Sequence, residues 1–169
     1  MASSMHDTYI TGLKNAHALE KQAVQLLSRQ VERLENYPEM SAKMQQHIQE
    51  SETQADRLEQ ILERHGTSNS MLKDFATQLS GNLAALMHAP MQDEVVKNTF
   101  ANYAFEHFEI AAYRALIAMA EAVGDQQAIP LLRESLAEEE RTAEWIGQRI
   151  EKTMLEYAQR EAVGMQAGV

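Results

Sequence analysis

The chain has 169 residues and a formal net charge of −10, with 7 glycines, 3 prolines, 10 methionines and no cysteine. That length is most simply one domain, residues 1–169, large enough for one substantial core. The acidic balance leaves no basic stripe for nucleic acid, and the absence of cysteine excludes disulfides, thiolate metal sites, iron–sulfur clusters and thiol redox chemistry.

Ala, Leu, Glu, Gln and Met dominate and no stretch alternates with period two, so the expected elements are all helices. The first spans about 6–35, with one face formed by Ile10, Leu13, Ala16, Glu20, Val24, Leu27, Val31 and Leu34. Asn36-Tyr37-Pro38-Glu39 ends it and opens a second helix over about 39–65, Pro38 suiting a first turn. The second stripe is Met40, Met44, His47/Ile48, Ser51, Ala55, Leu58 and Leu62, with Gly66 as the stop. A shorter helix is expected over about 71–88, closed by Pro90. The fourth, over about 91–123, is apolar on nearly every side between Phe100 and Val123 and so reads as a buried central helix. The last is expected over about 128–160, with Ile129, Leu132, Leu136, Glu139, Ala143, Ile146, Ile150, Met154 and Tyr157 on one face.

Four long helices in two hairpin-like pairs, joined by a long segment, predict an all-α, ferritin-like four-helix bundle whose crossover carries the extra short helix. No apolar run approaches the roughly 20 residues of a membrane span. The opening Met1-Ala2-Ser3-Ser4-Met5-His6-Asp7 has neither the basic nor the apolar region of a signal peptide. A soluble cytoplasmic protein is expected.

The acids carry the functional reading. Glu20, Glu106 and Glu139 occupy core slots on three helices, and few inward basic residues are available to pair them. Burying such carboxylates unpaired costs several kcal/mol or more each, and acids converging from different helices repel one another unless a cation lies between them. Iron or manganese in such bundles takes one Glu from each of two helices and a Glu-x-x-His from each of the other two. Here the positions after Glu50 hold Thr53 and Gln54, and those after Glu139 hold Thr142 and Ala143. Two substitutes exist: Glu109, one turn after Glu106, and His47, one turn before Glu50. By helical phase Glu50 lies about 100° from Ser51, so it must reach in from the flank. The expected metal ligands are therefore Glu20, Glu50, Glu106, Glu109, Glu139 and His47. His17 is a candidate hydrogen-bond partner for Glu20. Tyr103 and Tyr113 flank the Glu106/Glu109 pair, Glu138 and Glu140 read as solvated, and His107, Phe108 and Trp145 as contacts to a neighbouring helix or subunit.

With these residues placed, the chain resembles the YciE/YciF family of ferritin-like bacterial proteins, and the YciE branch most closely. The resemblance rests on Asn15-Ala-His-Ala-Leu-Glu-Lys-Gln-Ala23, Asn36-Tyr-Pro-Glu39, His47-Ile-Gln-Glu-Ser51 with Arg57-Leu58, Phe105-Glu-His-Phe-Glu-Ile-Ala-Ala-Tyr113, and Glu138-Glu139 before Trp145. Glu106-x-x-Glu109 is also similar to the paired acids of rubrerythrins. The resemblance implies a rubrerythrin-like bundle, commonly dimeric, with a di-iron centre and an association with bacterial stress responses. The YciF branch carries an Asp where this chain has Ala143.

Two functions follow as expectations. The first is a dinuclear protein holding two iron ions, with manganese as an alternative, that turns over dioxygen or peroxide as a ferroxidase- or peroxidase-like oxidoreductase. The second is a non-catalytic bundle for partner binding or self-assembly that retains a degenerate metal site.

Overall fold

The computed structural model describes residues 4–68, 72 and 93–167, and among these every regular element is a helix. In chain order they are α1 (Met5–Val31), α2 (Pro38–Arg64), α3 (Glu94–Val123), α4 (Ala128–Gly147) and α5 (Ile150–Ala162). The short helix expected over 71–88 lies outside the described residues, apart from Leu72.

Local chemistry sets most of the boundaries. A reciprocal box starts α1: the Ser4 hydroxyl accepts from the Asp7 amide and the Asp7 carboxylate accepts from the Ser4 amide, each at 3.0 Å. The helix stops at Val31, short of the expected 35. Leu34 keeps its place on the apolar stripe, but it is tucked with Tyr37 under Leu27, Met40 and Met44 in a pair of tight turns. Pro38 occupies the first turn of α2 as its fixed φ allows. Gly66 and Gly124 end α2 and α3 in left-handed conformations, with φ of 77° and 81°. At both ends the residue after the glycine donates to a carbonyl five residues back, Thr67 to Leu62 and Asp125 to Ala120.

The expected single helix over 128–160 is in fact two. The Arg149 amide bonds Ile146 at 2.9 Å, a tighter turn that breaks the α-helical ladder. The break falls where the Tyr103 ring closes on Gly147, so that a Cβ there would stand 3.0 Å from Tyr103 Cε2. The redirected α5 packs on α3, and Arg160 reaches Asn36 in the α1–α2 turn while the Tyr37 hydroxyl bonds the Ala167 carbonyl. Met154, expected in the core, is consequently 45% exposed.

Four helices make the bundle. His17 meets Glu59 and His6 meets His65; Arg114 meets Glu140 and Glu121 meets Arg133; Glu20 meets Tyr113 and Gln30 meets Asn102; Arg57 meets Glu138 and His47 meets Thr142. These pairings make α1 antiparallel to α2 and to α3, and α4 antiparallel to α3 and to α2. The diagonal partners α2 and α3 therefore run parallel, as in ferritin-like folds. Tyr9, Leu13, Leu58, Ile61, Leu116 and Leu132 fill one end of the core, and Leu27, Met40, Met44, Val95 and Ile146 the other. Between them lies a layer of buried polar side chains from all four helices.

Candidate metal centre

Glu20 of α1, His47 of α2, Glu106 and Glu109 of α3 and Glu139 of α4 are each at most 2% exposed. The three-residue step from Glu106 to Glu109 puts both acids on one face of α3, one above the other. The remaining residues enter from the three facing stripes. His47, Glu106, Glu109 and Glu139 each offer one ligand atom, and the four atoms all lie within 4.8 Å of one another. This buried group could hold a metal ion.

The directions of these atoms are as informative as their spacing. His47 Nε2 lies 3.1 Å from Glu106 Oε2 and 3.7 Å from Glu139 Oε2, yet neither His47 Nε2 nor Glu106 Oε2 has a hydrogen-bond partner. Both oxygens of Glu109 and both of Glu139 are also buried without one, as is Glu20 Oε2. Buried polar atoms are normally satisfied, because an unmet donor or acceptor costs about 1–3 kcal/mol and a charged one more. Seven such atoms in one buried layer fit a cation, whose coordination would satisfy them together. Carboxylate oxygens with a single imidazole form a donor set for iron or manganese rather than for a thiophilic metal.

The electrostatics point the same way. Burial pushes the Glu109 carboxyl well above the usual carboxylate range, helped by the charges of Glu20, Glu139 and Glu106. Burial and the charge of Glu106 do the same to Glu139. Glu20 is pushed up to about 7 by burial, although the Tyr113 hydrogen bond opposes the rise. Burial acts against a charged His47, but Glu106, Glu50 and Glu139 outweigh it and raise the ring well above the ordinary histidine range. Without a cation the layer therefore retains protons at neutral pH, and a cation must displace them.

The other expected ligands sit further out. Glu20 Oε1 accepts a 2.5 Å hydrogen bond from the Tyr113 hydroxyl, leaving Oε2 to face the layer. Glu50 lies at the flank, as its helical phase predicts. Its carboxylate contacts His47 Nδ1 at 3.3 Å and accepts from Gln46 at 2.9 Å. Burial would raise it, but the bonds from His47 and Gln46 and the nearby Lys43 hold it at about 2. Glu50 is thus an anchor for the outer nitrogen of His47 and stands outside the converging group.

Several expectations need correction. His17 turns away from Glu20 and pairs with Glu59 at 2.8 Å. Glu138 is not solvated: it is buried between Gln54 and a bidentate Arg57, with Arg57 Nη1 2.6 Å from its Oε2. Tyr103 packs on His107 and Gly147. The residue that sequence reasoning passed over is Thr142, whose hydroxyl stands 3.2 Å from His47 Nδ1. Its signal was its position three residues after Glu139, where a ligand His would normally stand. From that slot it helps aim the one imidazole that enters from α2. Thr53, in the corresponding position after Glu50, turns its hydroxyl back to the Gln49 carbonyl at 2.9 Å, and Gln54 beside it donates to Glu138.

Known proteins share this architecture. The family model for the Domain of unknown function (DUF892) matches residues 4–159. Protein YciF of Escherichia coli (strain K12) is 28% identical over 150 residues, covering 82% of this chain and 86% of that protein. The crystal structure of a protein from Xanthomonas campestris pv. campestris superposes with a TM-score of 0.79 at 29% identity, covering 94% of this chain and 99% of the other. The crystal structure of the E. coli stress protein YciF superposes with a TM-score of 0.68 at 23% identity, covering 88% and 96% of the two chains. The family match takes in all four bundle helices and every residue of the buried layer, and the chain belongs to the DUF892 family.

Proposed function

We propose that this protein holds two iron or manganese ions in the buried layer and uses them on dioxygen or peroxide, as a ferroxidase- or peroxidase-like protein of a bacterial stress response. The observation that carries the reading is the convergence of His47, Glu106, Glu109 and Glu139 with unpartnered oxygens and nitrogen in a dry interior. Glu20 completes the proposed ligand set from the flank through Oε2, and Glu50, expected as a ligand, serves the site through the outer nitrogen of His47. The stress assignment draws on the description of E. coli YciF as a stress protein. Placement in the YciE branch, with Ala143 at the distinguishing position, and a cytoplasmic location belong to the same proposal. Among the described residues no helix is long and apolar enough to cross a membrane.

Bound there, the metal pair would supply redox equivalents and Lewis acidity toward an oxygen-derived ligand. The chain's own residues do the rest. Thr142 and Glu50 hold His47 by Nδ1 and so direct Nε2 inward. The Tyr113 hydroxyl fixes the rotation of the Glu20 carboxyl. The apolar clusters at either end exclude water from the layer, which strengthens every charge interaction within it. Glu20, Glu109 and Glu139 hold protons near neutrality and release them when a cation enters.

The test is elemental analysis of tag-free protein purified without chelators, followed by anaerobic Fe(II) titration. The expected result is two equivalents per chain. His47→Gln is expected to weaken one equivalent more than the other and to flatten the pH dependence of binding. Because its carboxylate neighbours raise His47, that dependence should extend above pH 6.5 in the parent. A variant matching the parent in stoichiometry and pH profile would remove His47 from the site.

One observation favours the non-catalytic reading: Thr53 and Thr142 stand where the two imidazoles of the usual pattern would, and both hydroxyls are engaged elsewhere, with Gln49 and His47. Under it, the protein binds no metal beyond trace levels and catalyses no peroxide loss.

We also propose a homodimer. The outer face of α3 carries Phe100, Ala104, Phe108, Ala111 and Ala115, all exposed, with Phe108 59% accessible. These fall on one stripe of the helix. Light scattering at micromolar concentration should give twice the 19.1 kDa chain mass, and Phe108→Glu should return the monomer. A parent that stays monomeric across that range would reject the dimer.

A further inference from the structure

At the end of the bundle remote from α5, three elements meet through imidazoles that the interior site does not use. His6 is in the first turn of α1, His65 follows the last turn of α2, and Asp125 lies in the turn between α3 and α4. His65 Nε2 is 2.8 Å from Asp125 Oδ2. A carboxylate only accepts, so in the neutral ring this contact selects the tautomer with the proton on Nε2 and the lone pair on Nδ1. Asp125 is itself held by the Tyr9 hydroxyl at 3.1 Å and by Arg64 at 3.4 Å. The Tyr9 ring also packs edge-on against His65, with centroids 5.7 Å apart. The His65 lone pair therefore has a defined direction, and it points at His6 Nε2, 3.2 Å away.

We propose that His6 and His65 form a second cation site, specific for a late divalent transition metal such as Zn(II), Cu(II) or Ni(II) and separate from the carboxylate layer. Three features carry it. First, a ligating histidine usually donates its other ring N–H to a carboxylate, which orients the ring and raises its basicity, as Asp125 does for His65. Second, two imidazole nitrogens each about 2.0–2.1 Å from one tetrahedral ion lie about 3.3–3.4 Å apart. The observed 3.2 Å is close to that, and the ring centroids stand 5.1 Å apart with the planes tilted by 60°, so the rings are not stacked face to face. Third, a site of two neutral imidazoles, completed by water, follows the affinity order that favours Cu(II), Ni(II) and Zn(II) over Mn(II) and Fe(II). The two sites would thus sort cations by donor chemistry. His6 is exposed, so the end site is open to solvent. A cation there would clip the start of α1 to the end of α2, with Asp125 tying both to the α3–α4 turn.

The experiment is a calorimetric titration with Zn(II) of the tag-free chain, of His6→Gln and of Glu139→Gln, with Cu(II) electron paramagnetic resonance on the same proteins. His6 lies on the surface of the first helical turn, so its replacement leaves the core intact. The parent is expected to take up one more equivalent of Zn(II) than His6→Gln. Its Cu(II) spectrum is expected to show coupling to two imidazole nitrogens, reduced to one in the variant. Glu139→Gln should keep the end site whatever happens in the interior, so failure of one site is distinguishable from failure of the other. Asp125→Asn should weaken the end site about 10–100-fold without abolishing it. Equal Zn(II) stoichiometry and affinity in the parent and His6→Gln would overturn the proposal and leave the pair as an N–H···N hydrogen bond.

Discussion

Glu139→Gln is expected to lose most of the bound metal and, in its metal-free form, to melt at a higher temperature than the parent. Both oxygens of Glu139 are buried without a hydrogen-bond partner, and burial together with the charge of Glu106 keeps its carboxyl protonated far above the usual range. Holding that proton at neutral pH is a cost of folding that a neutral amide of the same shape does not carry. A clear rise in the melting temperature of the metal-free variant over the parent is expected at pH 7.5. The gain should shrink as pH falls toward 4.5 and vanish below it, where the carboxyl is protonated in the unfolded chain as well. Elemental analysis and calorimetry in EDTA read the two effects separately. Unchanged metal content would end the assignment of Glu139 as a ligand, and a metal-free variant less stable than its parent at pH 7.5 would contradict the account of the layer as an acid cluster awaiting a cation.

The second large effect is on pH. Glu20, Glu109, Glu139 and His47 all bind protons more tightly in the folded chain than in the unfolded one. For such groups the stabilising contribution is complete below the unfolded pKa and is lost as pH rises through the folded one. For Glu20 that window runs from 4.5 to about 7, which corresponds to about 3 kcal/mol. Glu109 and Glu139 extend the loss to higher pH, and His47 adds its own above 6.5. Glu50, held at about 2, acts in the opposite sense, contributing stability above 4.5 that disappears as pH falls toward 2. The metal-free protein should accordingly be most stable near pH 5 and melt at least roughly 6–12 °C lower by pH 8. Metal binding needs the deprotonated ligands, so the rise in melting temperature on adding Mn(II) should grow over the same interval. Scanning calorimetry from pH 5 to 8, with and without Mn(II), checks both. A flat or rising curve for the metal-free form would show that the layer does not hold its protons.

Much of this protein is determined by the order of its residues alone. The three-and-four spacing from Ile10 to Val31, the Ser4–Asp7 pair, Pro38, Gly66 and Gly124 act within a turn or two of themselves, so α1, α2 and α3, the starts of α1 and α2 and the stops of α2 and α3 are local properties, whereas the stop of α1 at Val31 is not, because its stripe continues to Leu34. The acids of the core were legible for a related reason. Glu20 and Glu139 fall on apolar stripes, Glu106 and Glu109 fall in an apolar helix, and periodicity is enough to assign a residue to a buried face. What periodicity does not contain is the identity of the neighbour across the interface. Only the packed bundle decided that His17 meets Glu59 and not Glu20, that Arg57 claims Glu138, that Thr142 aims His47, and that Glu50 stays at the rim. The same holds for the end of α4. The apolar pattern runs unbroken through Ile146, Ile150 and Met154, yet the helix breaks there, at the point where Tyr103, over forty residues earlier in the chain, is packed against Gly147. A helical face is written into one segment, whereas a partner is set by the relative rotation and height of two segments, which depend on every side chain packed between them.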